Sequence, residues 1–134
     1  MFIAKPHTGQ EGQNIKLFND LKQLPIWLEG SMVAQRYIDS PLLLDELKFD
    51  LRIYVVITGI HDGDMKAYMA DEGLARFCTM KYEKPDAQNR KKTFMHLTNF
   101  SLNKQSKNFK EDVGLDDVYE PNQASKRTLT SLFK

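Results

Sequence analysis

A disulfide framework is excluded at once, because the 134 residues hold a single cysteine, Cys78, and one thiol fits a reducing compartment. Long apolar runs are missing too. None approaches the roughly 20 residues that cross a bilayer, and Lys5 and Pro6 interrupt the apolar start too early for a secretory signal. The expectation is a soluble, cytosolic chain with no membrane partner. Charge of one sign is also lacking: 19 basic residues stand against 18 acidic ones, so the basic footprint of a nucleic-acid binder is absent and no such partner is expected. Gly9 and Gly12 lie in one loop without the spacing or the Lys-Ser/Thr ending of a Walker motif. No second His or Cys stands at a metal-ligand spacing from His96, which argues against zinc. No Ser–His or Cys–His pair makes a recognisable nucleophile motif. Repeats, heptads and low-complexity tracts are absent. In a cytosolic chain the sequon Asn99-Phe100-Ser101 carries no meaning.

What is present centres on Lys48-Phe49-Asp50-Leu51-Arg52, running into Ile53-Tyr54-Val55-Val56-Ile57. The β-branched and aromatic content and the period of two predict one strand. Alternation places Lys48, Asp50 and Arg52 on one face and Phe49, Leu51 and Ile53 on the other. A cation–anion–cation row backed by a core-facing apolar row suits a site that binds a polyanion with one carboxylate fixed between two bases. The alternative is a solvated face whose cross-strand ion pairs contribute roughly 0–1 kcal/mol each.

Along the chain, residues 2–5 predict a strand and Ile15–Phe18 another, joined by a turn-rich loop. Asn19-Asp20 predicts the cap of a short helix ending near Pro25, and Met32–Ile38 predicts a strand broken by Ser40-Pro41. His61-Asp62-Gly63-Asp64 reads as a hairpin turn returning through Met65–Ala70. After the turn Asp71-Glu72-Gly73, Leu74–Cys78 reads as a strand. Residues 79–92 are polar and basic and read as an exposed loop, and Phe94–Phe100 alternates like a strand. Ser101–Gln123 reads as irregular, locally acidic from Asp112 to Glu120. Ser125–Lys134 predicts a helix capped by Ser125 with Leu129, Leu132 and Phe133 on one stripe. Antiparallel turns and few helices predict an α+β domain. A strand already in progress at Phe2 and an unclosed final helix suggest a segment of a larger protein, truncated at both ends.

Several positions invite a ligand. Lys5 ends a strand before a Gly loop, from which an ammonium can reach a phosphate held by backbone N–H groups; an ordinary turn is the alternative. Gln35-Arg36-Tyr37-Ile38 ends a strand where backbone groups can meet a purine edge. The planar fork of Arg76 suits phosphate or carboxylate oxygens, although Asp50 or Glu72 are competing partners. His96 and Thr98 alternate with Met95, Leu97 and Asn99, and a lone His is ordinarily a structural residue.

In order, Phe2–Pro6, Gln35–Ile38, Lys48–Val55, Glu72–Phe77 and Met95–Ser101 resemble the tubulin–tyrosine ligase-like family across residues 2–133. Its polyglutamylase members are the nearest in character, partly through Ser125-Lys126-Arg127. The resemblance implies a partial ATP-grasp domain, α+β with a mainly antiparallel sheet and few helices, residues 1–134 being its central segment. It implies ATP and Mg²⁺ as cofactors, and tubulin's acidic C-terminal tails in microtubules and free glutamate as partners. It implies a cytoplasmic, cytoskeletal location, with cilium or basal body as the finer expectation. By resemblance Lys5 and Lys48 contact ATP phosphates, Gln35, Arg36, Tyr37 and Ile38 line the adenine pocket, and His96, Thr98 and Asn99 line the same cleft. Asp50, Arg52 and Arg76 fall to the γ-phosphate and the acceptor carboxylate as the catalytic set. The implied reaction phosphorylates a carboxylate to an acylphosphate, from which the amino group of an incoming glutamate displaces phosphate to form an isopeptide bond. Preorganised cations suit the charge that gathers on those oxygens, and the basic loop at 81–92 is placed to steer an acidic tail.

Two departures stand out. The family loop has Gly where this chain has Asn14, whose side chain crowds a phosphate even though Asn tolerates positive φ. The family's carboxylate and Asn ligands for Mg²⁺ fall past residue 134, so no metal ligand is expected within the chain, and the isolated piece is expected to be inactive. A glycine or tyrosine ligase, and a non-catalytic nucleotide- or microtubule-binding remnant, remain the alternatives.

Overall fold

The computed structural model describes residues 1–8, 11–20, 22, 31–61, 63–112 and 123–133. Every strand pairing among the described residues is antiparallel. The first sheet has β1 (Phe2–Pro6) between β2 (Lys16–Phe18) and β3 (Met32–Arg36). The second runs β4 (Leu43–Leu44), β5 (Leu47–Arg52), β8 (Leu74–Phe77) and β9 (Lys126–Thr128). A separate ribbon pairs β6 (Val55–His61) with β7 (Asp64–Met69). Among the described residues there are three single-turn helices: α1 (Thr93–His96), α2 (Phe100–Asn103) and α3 (Leu129–Leu132). This is the α+β, mostly antiparallel architecture with few helices that the sequence predicts. Among the described residues no helix is long and apolar enough to cross a membrane.

Turn chemistry explains the hairpins. Asp45 and Glu46 take φ of 53° and 62° between β4 and β5, the paired positive values that match strand twist in a two-residue loop. Gly63 sits at φ 88° between β6 and β7, as the Asp-Gly signal requires; Asp62 lies outside the described residues. The core gathers where the second sheet meets α1: Ala75, Phe77, Cys78 and Met95 are at most 1% exposed, and the Phe49 ring stacks on Phe77 at 5.6 Å.

Several sequence expectations need correction. The strand from Lys48 does not continue to Ile57: β5 stops at Arg52, because the register with β8 ends at Arg52↔Leu74 and the chain then joins a different ribbon. The apolar row fails with it, since Leu51 and Ile53 are 42% and 40% exposed and only Phe49 turns inward. Residues 94–100 form α1, an extended link and the start of α2 instead of a strand. The Asn103 side chain fixes that path, donating to the carbonyls of Leu97 and Asn99 and accepting from Thr79 N and Oγ1. Ser125 caps no helix; it precedes β9, and Thr128 Oγ1 caps α3 by accepting from Ser131 N at 3.2 Å. Phe133 is 75% exposed, off the stripe predicted for it. Finally, the loop 79–92 is exposed only in part, for Thr79 and Asn89 are buried. The helix expected to end near Pro25, Gly9 of the first loop, and most of the acidic stretch 112–120 lie outside the described residues.

Candidate functional site

Asp50 and Arg76 stand directly opposite each other on β5 and β8. Arg76 Nε donates to both carboxylate oxygens, at 3.1 and 3.2 Å, and Nη2 donates to Oδ2. Both side chains are partly buried, 24% and 33% exposed. Two N–H edges on one carboxylate fix the guanidinium plane, and no described group engages Nη1. Of the two partners open to Arg76, Glu72 is committed elsewhere, since its Oε1 accepts from the backbone N–H of Gly73, Leu129 and Thr130. Those bonds hold its carboxyl below the usual range.

Two residues back on the same strand face, the Lys48 ammonium donates to Tyr37 Oη at 3.1 Å and to the His96 carbonyl at 2.8 Å. It also lies 4.7 Å from the centre of the Tyr37 ring. Burial lowers its pKa, partly offset by Cys78 and Asp50. Tyr37 Oη is 3.1 Å from His96 Nδ1, and His96 Nε2 is 3.2 Å from the Asn89 carbonyl. A carbonyl only accepts, so Nε2 carries the proton and Nδ1 accepts from Tyr37. Burial also raises the Tyr37 hydroxyl far above its ordinary value, with Tyr82 adding to it, so it stays a donor. Burial pushes the Cys78 thiol up to about 12; it is a packed thiol without nucleophilic character.

His96 is 1% exposed, and burial sets its pKa below the ordinary 6.5. Below pH 6.5 the unfolded chain therefore binds a proton that the folded one refuses, so stability falls with pH until the folded value is passed. Denaturation midpoints measured from pH 7.5 to pH 5 are expected to fall less steeply in His96→Gln than in the parent. Identical slopes would show that His96 is not held neutral.

The other sequence-predicted positions divide. Asn99 is brought to the first loop: a Cβ on Gly12 would lie 2.9 Å from its Oδ1, and Gly12 itself has φ 82°. Asn14 takes φ 57°, the left-handed conformation that a Gly there would take. Lys5, Gln35 and Arg36 are exposed on the first sheet, where Ile3 faces Gln35 and Phe2 faces Arg36. Tyr37 N donates to the Met1 carbonyl at 3.1 Å; antiparallel alternation then turns the N–H and C=O of Arg36 to the open edge of β3. Ile38 is 73% exposed, Thr98 is half-buried in the link between α1 and α2, and the exposed Arg52 side chain is not joined to the Asp50–Arg76 pair. Thus Tyr37, Lys48 and His96 form one cluster, Asp50 of β5 and Arg76 of β8 a second beside it, and Asn99 meets the glycine loop.

Neither of two cavities contains Lys48, Asp50 or Arg76. One, of about 600 Å³, opens between β2 and residues 90–97 with His96 in its wall; the other, of about 820 Å³, lies beside Arg127 and Phe77. Among the described residues no group of three His, Cys, Asp or Glu is placed to hold a metal ion. Sequence reasoning missed Tyr82, Asn89, Asn103 and Arg127. Tyr82 packs edge-on to His96 at 6.0 Å, and its buried hydroxyl makes no hydrogen bond of ordinary geometry among the described residues, although it lies near enough to the Tyr37 hydroxyl for the two to interact. Arg127 lies 4.1 Å over the Phe77 ring and reaches Asp45 at 3.3 Å. An Asn or Arg in a polar stretch carries no signal of burial, so only the fold finds them.

A model described as the tubulin-tyrosine ligase family matches residues 1–131. Among curated relatives, the protein called tubulin polyglutamylase ttll-11 of Caenorhabditis elegans is 43% identical over 98% of this chain. The human protein called tubulin polyglutamylase TTLL11 is 41% identical over 98%, and the Danio rerio protein called tubulin polyglutamylase ttll6 is 40% identical over 99%. The chain spans 18%, 18% and 16% of their respective lengths.

Proposed function

The chain belongs to the tubulin–tyrosine ligase family, and on that footing we propose that it is the central segment of an ATP-grasp ligase that joins glutamate to glutamate side chains of tubulin tails. The observation that carries this reading is the face shared by β5 and β8, where the Arg76 guanidinium, fixed by the Asp50 carboxylate, stands beyond the partly buried Lys48 ammonium. Lys48 keeps one N–H, and Arg76 its Nη1, without a described acceptor. Both suit phosphoryl or carboxylate oxygens. ATP, when bound, supplies the phosphoryl group that activates the tubulin carboxylate as an acylphosphate for attack by the glutamate amine.

This chain's part is to bind and orient. Lys48 and Arg76 meet the anionic oxygens, Lys5 of β1 meets the ATP phosphates as well, and Arg52 meets the acceptor carboxylate. The edge of β3 at Gln35–Ile38 offers backbone groups to the base, Asn99 borders the glycine loop, and Thr98 lines the same cleft. No described cluster suits Mg²⁺, so no step through it is assigned to these residues. Lys84 and Lys91 are exposed and have no described carboxylate at ion-pair distance, which suits them to steer an acidic tail. A cytoskeletal location follows from such a substrate, with cilium or basal body as its finer form.

Asn14 at φ 57° keeps the loop geometry without glycine, which weakens the case for a non-catalytic remnant. In the complete ligase, offered labelled Glu, Gly and Tyr in competition with ATP and microtubules, glutamate is the amino acid expected on tubulin. Incorporation of glycine or tyrosine instead would mark the sister activities. Nucleotide binding without any incorporation would mark the remnant.

A further inference from the structure

We propose that Tyr37 and His96 are positioning residues that aim the Lys48 ammonium, and that the turn at 84–92 is their outer anchor through the Asn89 carbonyl. This rests on the reading of Lys48 as an anion-binding group. The family resemblance implies that both side chains line the ligand cleft. Both ring nitrogens of His96 are engaged within the protein and the residue is almost fully buried. The Tyr37 side chain is likewise buried, with its hydroxyl taken on both sides.

Proton bookkeeping leaves one arrangement. The ammonium has only protons to give, so Tyr37 Oη must accept from it. Its single proton then goes to His96 Nδ1, which must be bare, and the ring proton sits on Nε2 facing Asn89 O. The chain of hydrogen bonds therefore has one direction, from ammonium to hydroxyl to imidazole to carbonyl. With the His96 carbonyl as second acceptor, two of the three ammonium N–H bonds are fixed and the third has a set direction.

The far end is held as firmly. Asn89 Oδ1 accepts from Asp86 N at 2.8 Å, Nδ2 donates to the Lys84 carbonyl at 3.0 Å, and Asn89 N donates to Asp86 Oδ1 at 2.7 Å. Its carbonyl takes Lys92 N at 2.8 Å beside the imidazole, filling both lone pairs. A stretch that reads as a solvated basic loop thus contains the support of the site. Among the described residues the charged and titratable groups facing Lys48 are Tyr37, His96, Cys78 and Asp50, with Tyr82 and Asp39 behind Tyr37.

The test is pH-resolved acetic anhydride labelling of Lys48, read by mass spectrometry on the complete ligase without nucleotide. Tyr37→Phe removes one oxygen and keeps the ring. It is expected to lower the labelling midpoint of Lys48 by about one pH unit, giving about tenfold more label below that midpoint. His96→Ala is expected to move the midpoint the same way, and His96→Asn, which restores an acceptor near Nδ1, to move it back. Under the same proposal kcat falls about tenfold in Tyr37→Phe while the KM for tubulin holds. An unchanged midpoint in a Tyr37→Phe protein that melts like the parent overturns the proposal. The same shift in Tyr37→Phe, with a parent that transfers no glutamate, upholds the hydrogen-bond chain and sinks the ligase reading instead.

Discussion

Replacing Arg76 with lysine is expected to lower kcat/KM for glutamate transfer by the complete ligase about a hundredfold, although the charge is kept. The guanidinium can face two ways at once: Nε and Nη2 bind Asp50 while Nη1 stays available. A lysine ammonium offers a point charge, and Asp50 would draw it away from the ligand. Asp50→Asn removes the opposite half, weakening a charge-assisted fork and freeing the guanidinium to swing, with an expected loss of about ten- to a hundredfold. The double variant should lose less than the product of the two, because each single change already releases the same plane. Stability should barely respond, since a partly exposed cross-strand pair contributes about 0.2–1 kcal/mol. Melting curves and steady-state kinetics on the four proteins separate these outcomes. A melting loss as large as the kinetic one would reduce the pair to a structural bridge.

How far such a site can be read from sequence depends on what holds each residue. Lys48 and Asp50 are legible because a strand's period of two is short and β5 keeps it. Arg76 is half legible: its type announces an anion, but a choice between Asp50 and Glu72 needs the register. The Tyr37–His96 contact is not legible at all, its members standing 59 positions apart in the chain. Near His96 the alternation of Phe94–Phe100 misleads, because a four-residue helix is one turn and shows no period of its own. What shapes that segment is Asn103, a polar side chain that satisfies four backbone and hydroxyl groups from inside. Local propensity has no means of reporting such a knot. The strand break after Arg52 is hidden for the opposite reason, since Ile53–Ile57 has strong strand propensity and does enter a strand, only in a different sheet.

That break makes Gly73→Ala the substitution with the largest expected structural effect. A Cβ there would lie 2.5 Å from the Arg52 carbonyl oxygen and 2.8 Å from Leu129 Cδ1. The leucine can turn aside; the backbone carbonyl belongs to the last rung of the β5–β8 ladder and cannot. Gly73 is also bonded on both sides, its N–H to Glu72 Oε1 and its carbonyl to Leu129 N, so its own backbone is not free to retreat. The cost should reach about 3 kcal/mol, the upper part of the range for overpacked sites. If it opens the ladder locally, amide exchange across 47–52 and 74–77 speeds up by about a hundredfold in the complete ligase. Adding Leu129→Ala should recover only part of this, because the Arg52 carbonyl remains; full recovery would move the clash to the leucine. Arg76 stands two residues beyond Leu74 on the same strand. Loosening at Gly73 must therefore reach the guanidinium, and glutamate transfer should fall in step with exchange protection at Asp50 and Arg76. Loss of protection with full activity would mean that the Asp50–Arg76 fork needs no rigid ladder to aim it.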